Sequence, residues 1–264
     1  MNDFIGKTWK KINIRDQEEI DKNGYKLFRE NIAKHYMTAN TGEKGTHIFL
    51  NDENGIEQLY NLLLKNDIEV DISDTILGGG FYVEMFNKTV TMDLLISLWE
   101  INLMQKAVDF NKIESVTEIG AGYGRTVYAI LKKYPHIKCN IIDIEPALSV
   151  SKYYLNETLP DANINWYTQE ELNKVKNTDL VFCISAFCEI PMIAVKAYFD
   201  YADKHSKYFY FKHDRHCNHF PERYRGHYPI DSRWSRVFSK NCVITPRFYE
   251  ELYIMRKKYV LSRG

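Results

Sequence analysis

The stretch VTEIGAGYGRTVYAIL, residues 116–131, decides the fold. An apolar, β-branched run ends on a carboxylate, Glu118. Glycines follow at 120, 122 and 124, and an amphipathic run starts at Arg125. Glycine lets the backbone turn sharply and lets a ligand come close to the main chain. A helix start presents N–H groups that have no partner inside the helix. The stretch therefore predicts a strand, a tight turn and a helix built around a small ligand.

Outward from this point the same rhythm repeats. SVTEIG leads to GRTVYAILKKY, CNIIDI to PALSVSKYYLNETL, INWYT to QEELNKVK, and DLVFCIS to PMIAVKAYFDYADKH, with KYFYFK after them. Alternating strands and helices predict an α/β fold, a parallel sheet with helices on both faces. Ligands of such sheets bind at the carboxyl ends of the strands, near the switch in strand order. The late stretches WSRVFSKNCVI and FYEELYIMRKKYVL suit a closing antiparallel pair of strands with a helix between them. Residues 1–110 look mainly helical and carry no clear sheet rhythm. YKLFRENIAKHYM and GIEQLYNLLLKN have apolar residues at helical spacing. Thr91 is placed to cap a long helix over MDLLISLWEINLMQKAV. Gly78-Gly79-Gly80 fits a loop or hinge better than a phosphate cradle, because no helix start follows it directly. The chain divides into an N-terminal helical cap or substrate region, 1–110, and a ligand-binding domain, 111–264.

Composition narrows the setting. At 264 residues and 45% hydrophobic, the chain can bury a substantial core. The N-terminus MNDFIGKTWKKIN has no apolar core of signal-peptide length, and no apolar run suffices to span a bilayer. The five cysteines, at 139, 183, 188, 217 and 242, include no C-x-x-C pair. An odd set of this kind points to reduced thiols in a soluble, cytoplasmic protein with no membrane insertion. The formal charge is zero, yet from Lys204 onward 14 Lys and Arg stand against 5 Asp and Glu. Two explanations stay open: a solvated face, or a surface that draws in a phosphate-bearing or otherwise acidic acceptor.

The glycine turn itself speaks to the ligand. A dinucleotide fingerprint needs a small third residue where this chain has Arg125, which argues against a pyrophosphate. Asp143 ends the next strand, 19 residues past Gly124. A carboxylate there can accept from both hydroxyls of a ribose. Acid, bare turn, acid suits a ligand with an amino group and a ribose but no phosphates.

EIGAGYGRT with its downstream acid resembles the cofactor motif of class I S-adenosylmethionine-dependent methyltransferases. More narrowly, EIGAGYGRTVYAIL, IIDIEPALSVSKYYL and the late FYEELY resemble the bacterial sugar O-methyltransferases found with surface-polysaccharide genes. The likeness covers roughly residues 113–253 in motif order. It implies a Rossmann-like seven-stranded sheet whose last strand enters antiparallel, S-adenosyl-L-methionine as cofactor, and methyl transfer to a hydroxyl. By position it makes Glu118, Gly120, Ala121, Gly122, Gly124 and Asp143 the cofactor residues, with Thr168 and Gln169 at the adenine edge. The implied acceptor is a nucleotide-activated sugar or a capsule or O-antigen precursor.

An acceptor hydroxyl needs a base, expected at the end of the fourth or fifth strand. SAFCEIP, after the fourth, holds Glu189 and lacks the N/D-P-P-Y and Pro-Cys signatures of nucleic-acid base methylation, so no nucleic-acid partner is expected. Glu189 is a candidate, either orienting the acceptor or capping a helix. After the fifth strand, KHDRHCNHF offers His213, Asp214, His216 and His219. A metal on this cluster is one possibility, but no metal site is assigned. A histidine base is preferred, and His213 is expected as the first imidazole past the strand edge. The rivals are transfer to another small phosphorylated surface-modification precursor, a nicotinamide-dependent sugar oxidoreductase, and a non-catalytic cofactor-binding or metal-sensing subunit.

Overall fold

A computed structural model describes residues 7–32, 49–214 and 228–256. Its centre is a seven-stranded sheet whose first strands in the chain are β3 (Ser115–Ile119), β4 (Lys138–Asp143) and β5 (Ile164–Thr168). Then come β6 (Leu180–Ile184), β7 (Tyr208–Asp214), β8 (Trp234–Asn241) and β9 (Phe248–Met255). The spatial order is β5-β4-β3-β6-β7-β9-β8. The first five of these positions run parallel, and β9 enters antiparallel between β7 and β8. This is the Rossmann-like seven-stranded sheet, with a late strand entering antiparallel, that the resemblance implies. The order reverses at β3, between β4 and β6, which puts the glycine turn at the switch point.

Periodicity explains the layers. Val116, Leu180, Phe182 and Tyr210 point to one face and join the apolar residues of α4 (Met92–Met104), α5 (Arg125–Lys133) and α6 (Ala147–Thr158). Ile119, Val181, Cys183, Phe209 and Phe211 point to the other, against α7 (Met192–His205). Strands covered on both sides read as continuous apolar runs, as LVFCI does. The first cluster also takes in Phe28, Ile56, Leu59 and Leu63, so α2 (Phe28–Asn31) and α3 (Glu53–Lys65) share a core with the sheet. Farther toward the N-terminus lies α1 (Lys7–Asn23). Thr91 caps α4 by accepting from Leu94 N at 3.0 Å.

Three local expectations are corrected. QEELNKVK closes into a 3-10 turn over Gln169–Lys174, held by the Thr168–Glu171 capping box. Between β8 and β9 the chain makes a turn, not a helix, because only residues 242–247 separate the two strands; FYEELYIM is the expected strand, buried over most of its length. The N-terminal region also holds a hairpin, β1 (Val83–Met85) with β2 (Lys88–Val90). Its turn residues Phe86 and Asn87 both take positive φ, 51° and 59°, as a two-residue hairpin turn requires.

Candidate cofactor and acceptor cleft

The turn after β3 sets the geometry. Gly120, at φ 72°, lies so close to the 3-10 turn after β6 that a Cβ there would meet the Ala186 Cβ at 2.3 Å. Gly124, at φ 89°, precedes α5 and packs on Leu155 of α6, where a Cβ would stand 2.8 Å from Cδ1. Both positions therefore require glycine. The turn brings β3, β4 and β6 together around a half-open cleft of about 610 Å³, open solvent at its mouth included. Gly120, Gly122, Asp143, Gln169 and Glu189 line it, with an apolar wall of Ile142, Ile144, Ile184, Ile190 and Tyr198.

Asp143 stands at the tip of β4. Its Oδ2 accepts from Gly122 N at 2.9 Å and its Oδ1 from Ile144 N at 2.8 Å. Each oxygen keeps a second lone pair for a ligand hydroxyl. Burial raises this carboxyl to about 7, against the opposing pull of the two backbone N–H groups. Glu118 is buried at the end of β3, and its Oε2 has no hydrogen-bond partner among the described residues. Burial pushes its carboxyl well up, with Glu100 and Asp143 adding to the effect and Arg125 opposing it. A buried acid without a donor is costly unless something completes it. An ammonium at Glu118 and hydroxyls at Asp143 would satisfy both groups. The residues present therefore fit S-adenosylmethionine.

Other sequence candidates lie elsewhere. Ala121 is buried, and Glu118, Ala121 and Gly124 belong to the strand end and the turn but are not among the residues lining the cleft. Nor is Thr168, whose hydroxyl and N–H both engage Glu171. His213 is the clearest displacement. It lies within β7, opposite Tyr249, not past the strand edge. Its side chain turns to the α7 face, fully buried, with Nε2 3.3 Å from Glu251 Oε1 and rings of Phe211, Tyr228 and Tyr249 around it. The strand runs two residues longer than KYFYFK suggests, and alternation sends His213 to the core. Asp214 forms an ion pair with Arg247. His216 and His219 lie outside the described residues.

The sequence reading missed a charged layer beside the cleft. Glu100, on α4, is fully buried and receives Arg125 Nη1 at 2.9 Å and Lys212 Nζ at 3.2 Å. Burial alone would raise its carboxyl, but the two cations hold it below the ordinary value. Arg125 also donates to Ser97 Oγ at 2.8 Å. Thus the residue that breaks the dinucleotide fingerprint ties the start of α5 to α4. A single charge inside an apolar helix (LWEIN) or strand (FYFKH) was the available signal.

Part of the chain is similar to known proteins. The match is to the O-methyltransferase domain, over residues 82–210. It spans a little under half of the chain and agrees, over that region, with the expected O-methyltransferase class. The O-methyltransferase ZRP4 of Zea mays is 29% identical over 76 residues, 25% of this chain and 21% of that protein. The chain thus matches about a fifth of that relative's length. Among solved structures, the pyocyanin biosynthetic protein PhzM is similar with a TM-score of 0.47 at 14% identity, over 61% of this chain and 56% of that one. The magnesium protoporphyrin IX methyltransferase ChlM from Synechocystis PCC 6803, with bound SAM, gives 0.44 at 14% identity, over 61% and 76%. No helix among the described residues is long and apolar enough to cross a membrane.

Proposed function

We propose that the chain is an S-adenosylmethionine-dependent O-methyltransferase acting on a small-molecule hydroxyl. More narrowly, the acceptor is a sugar hydroxyl on a nucleotide-activated sugar or a bacterial surface-polysaccharide precursor. The observation that carries the transferase is the Asp143–Gly122 turn in one cleft with Glu189, inside a region that matches the O-methyltransferase domain. Bound S-adenosylmethionine supplies a methyl group activated by a sulfonium. The chain's own work is binding, orientation and proton removal. Asp143 would accept from the ribose hydroxyls, Glu118 would pair with the amino group, Gly120 and Gly122 would admit the ligand to the main chain, and Gln169 would serve the adenine. Glu189 takes the proton of the acceptor hydroxyl, a role that burial denies to His213.

The sugar acceptor draws its support from the sequence motifs alone. Within the basic third, Lys212 pairs with Glu100, Arg233 with Asp203 and Asp231, and Arg247 with Asp214. Residues 1–110 are assigned to the acceptor side and 111–264 to the cofactor domain, although the matched region begins earlier, at residue 82. The test is transfer of a labelled methyl group to a panel of nucleotide sugars, with aromatic hydroxyl compounds alongside. Labelled sugar is the expected result. Label on aromatic hydroxyls alone would keep the O-methyltransferase and discard the sugar.

A further inference from the structure

The glycine turn carries one large side chain, Tyr123, and it points away from the cleft into a buried polar knot. Its hydroxyl donates to Asp93 Oδ2 at 2.7 Å, near the start of α4. Its ring lies 5.1 Å from the guanidinium carbon of Arg29, which sits on α2, far away in sequence. The Tyr154 ring on α6 lies at 5.2 Å from the same carbon, so two rings flank the cation. Arg29 is buried and grips Asp74 with two nitrogens, each at 3.1 Å, while Nη2 also reaches the Tyr154 hydroxyl at 3.2 Å.

The neighbouring backbone is shaped to hold this insertion. Gly78 O accepts from Arg29 N at 2.9 Å, and Gly80 N donates to Glu30 Oε1 at 3.2 Å. A Cβ at Gly78 would stand 2.1 Å from the Phe28 ring. The triple glycine is thus a loop, as its sequence suggests, with Gly78 and Gly80 bonded to α2. It closes over α2. The Phe28 ring in turn lies 5.4 Å from the Tyr123 ring.

We propose that Arg29 is a positioning residue for the cofactor turn. Docking of the N-terminal segment through Arg29 and Phe28 fixes Tyr123, and Tyr123 fixes the Gly122–Gly124 backbone whose N–H orients Asp143. The physical reason is that a glycine-rich turn has little side-chain packing of its own and loses much backbone freedom on ordering. An aromatic ring held against a desolvated cation supplies the missing constraint. The inference rests on the cofactor assignment, and binding of S-adenosylhomocysteine is the probe. Coupling must be reciprocal: if docking of α2 strengthens cofactor binding, the cofactor must strengthen docking by the same factor.

Two measurements test it. Calorimetry with S-adenosylhomocysteine compares wild type, Arg29→Met, Tyr123→Leu and the double variant. Each single change should weaken binding about tenfold, inside the usual range for coupled sites, and the double should be no worse than either. Arg29→Lys keeps the charge without the fork and should recover only part of the loss, whereas Tyr123→Phe keeps the ring and should recover most of it. Hydrogen exchange on the wild-type chain needs no variant. Added S-adenosylhomocysteine should slow exchange of the amides of residues 28–32 as well as those of the glycine turn. A purely structural Arg29 would lower the melting temperature and leave the affinity of the folded protein intact. Wild-type affinity in folded Arg29→Met, losses that multiply in the double variant, or unchanged exchange at residues 28–32 would each overturn the proposal. Absence of any wild-type binding would instead bring down the cofactor assignment, and this inference with it.

Discussion

Asp143 has a carboxyl raised to about 7 by burial, against an ordinary value of 3.8. In the folded chain it holds its proton more tightly than in the unfolded chain. The associated stabilisation is therefore complete below about pH 3.8 and is lost as pH rises through about 7. Ligand binding has the opposite dependence, because ribose hydroxyls donate to the ionised form. Affinity for S-adenosylhomocysteine should fall about tenfold per pH unit below 7, with proton release, and Asp143→Asn should flatten the profile. A profile equally steep in that variant, followed by calorimetry, would assign the proton elsewhere. Glu189 and His213 make a contrasting pair. Glu189→Gln should cut turnover by about 10²–10⁴-fold while leaving cofactor affinity unchanged. His213→Ala should spare both and cost about 1–3 kcal/mol of stability, since Glu251 loses a buried partner. If turnover collapses in His213→Ala with the cofactor still bound, the histidine base returns.

At the scale of elements, α4 carries more than its apolar sequence suggests. Thr91 caps it, Asp93 holds Tyr123, and Glu100 binds both Arg125 and Lys212. Replacing one member of a buried ion network strands the others. Glu100→Leu should therefore destabilise by about 3–5 kcal/mol in urea titrations, far above the usual cost of about 1 kcal/mol for losing the cap of α3 at Asp52→Ala. Equal losses in the two variants would mean that water already screens Arg125 and Lys212. The strand–turn–helix core was legible because each feature is local: an apolar run, a glycine at a left-handed position, an acid at a strand tip. The hairpin at residues 83–90 was not, because three-residue strands are too short to show alternation. The end of β7 was misjudged for a related reason. His213 and Asp214 look like loop residues until Glu251 and Arg247 are placed beside them.

Across the whole molecule, the cleft depends on contacts that join distant parts of the chain. Arg29, Asp74, Tyr123 and Tyr154 meet in one knot, and no spacing in the sequence announces such a meeting. The acceptor side is the part least legible from sequence, because sugar and aromatic hydroxyls need the same base and differ only in the surfaces around them. The cofactor side is better determined, and it bears the central claim. Calorimetric titration of S-adenosylhomocysteine into wild type and Asp143→Ala tests that claim most directly. The account predicts one site on the wild-type chain, silence toward NAD and NADP, and a loss of about 1–3 kcal/mol in the variant as the ribose hydroxyls lose their acceptor. Binding of NAD in place of S-adenosylhomocysteine, or an affinity unchanged by Asp143→Ala, would contradict it.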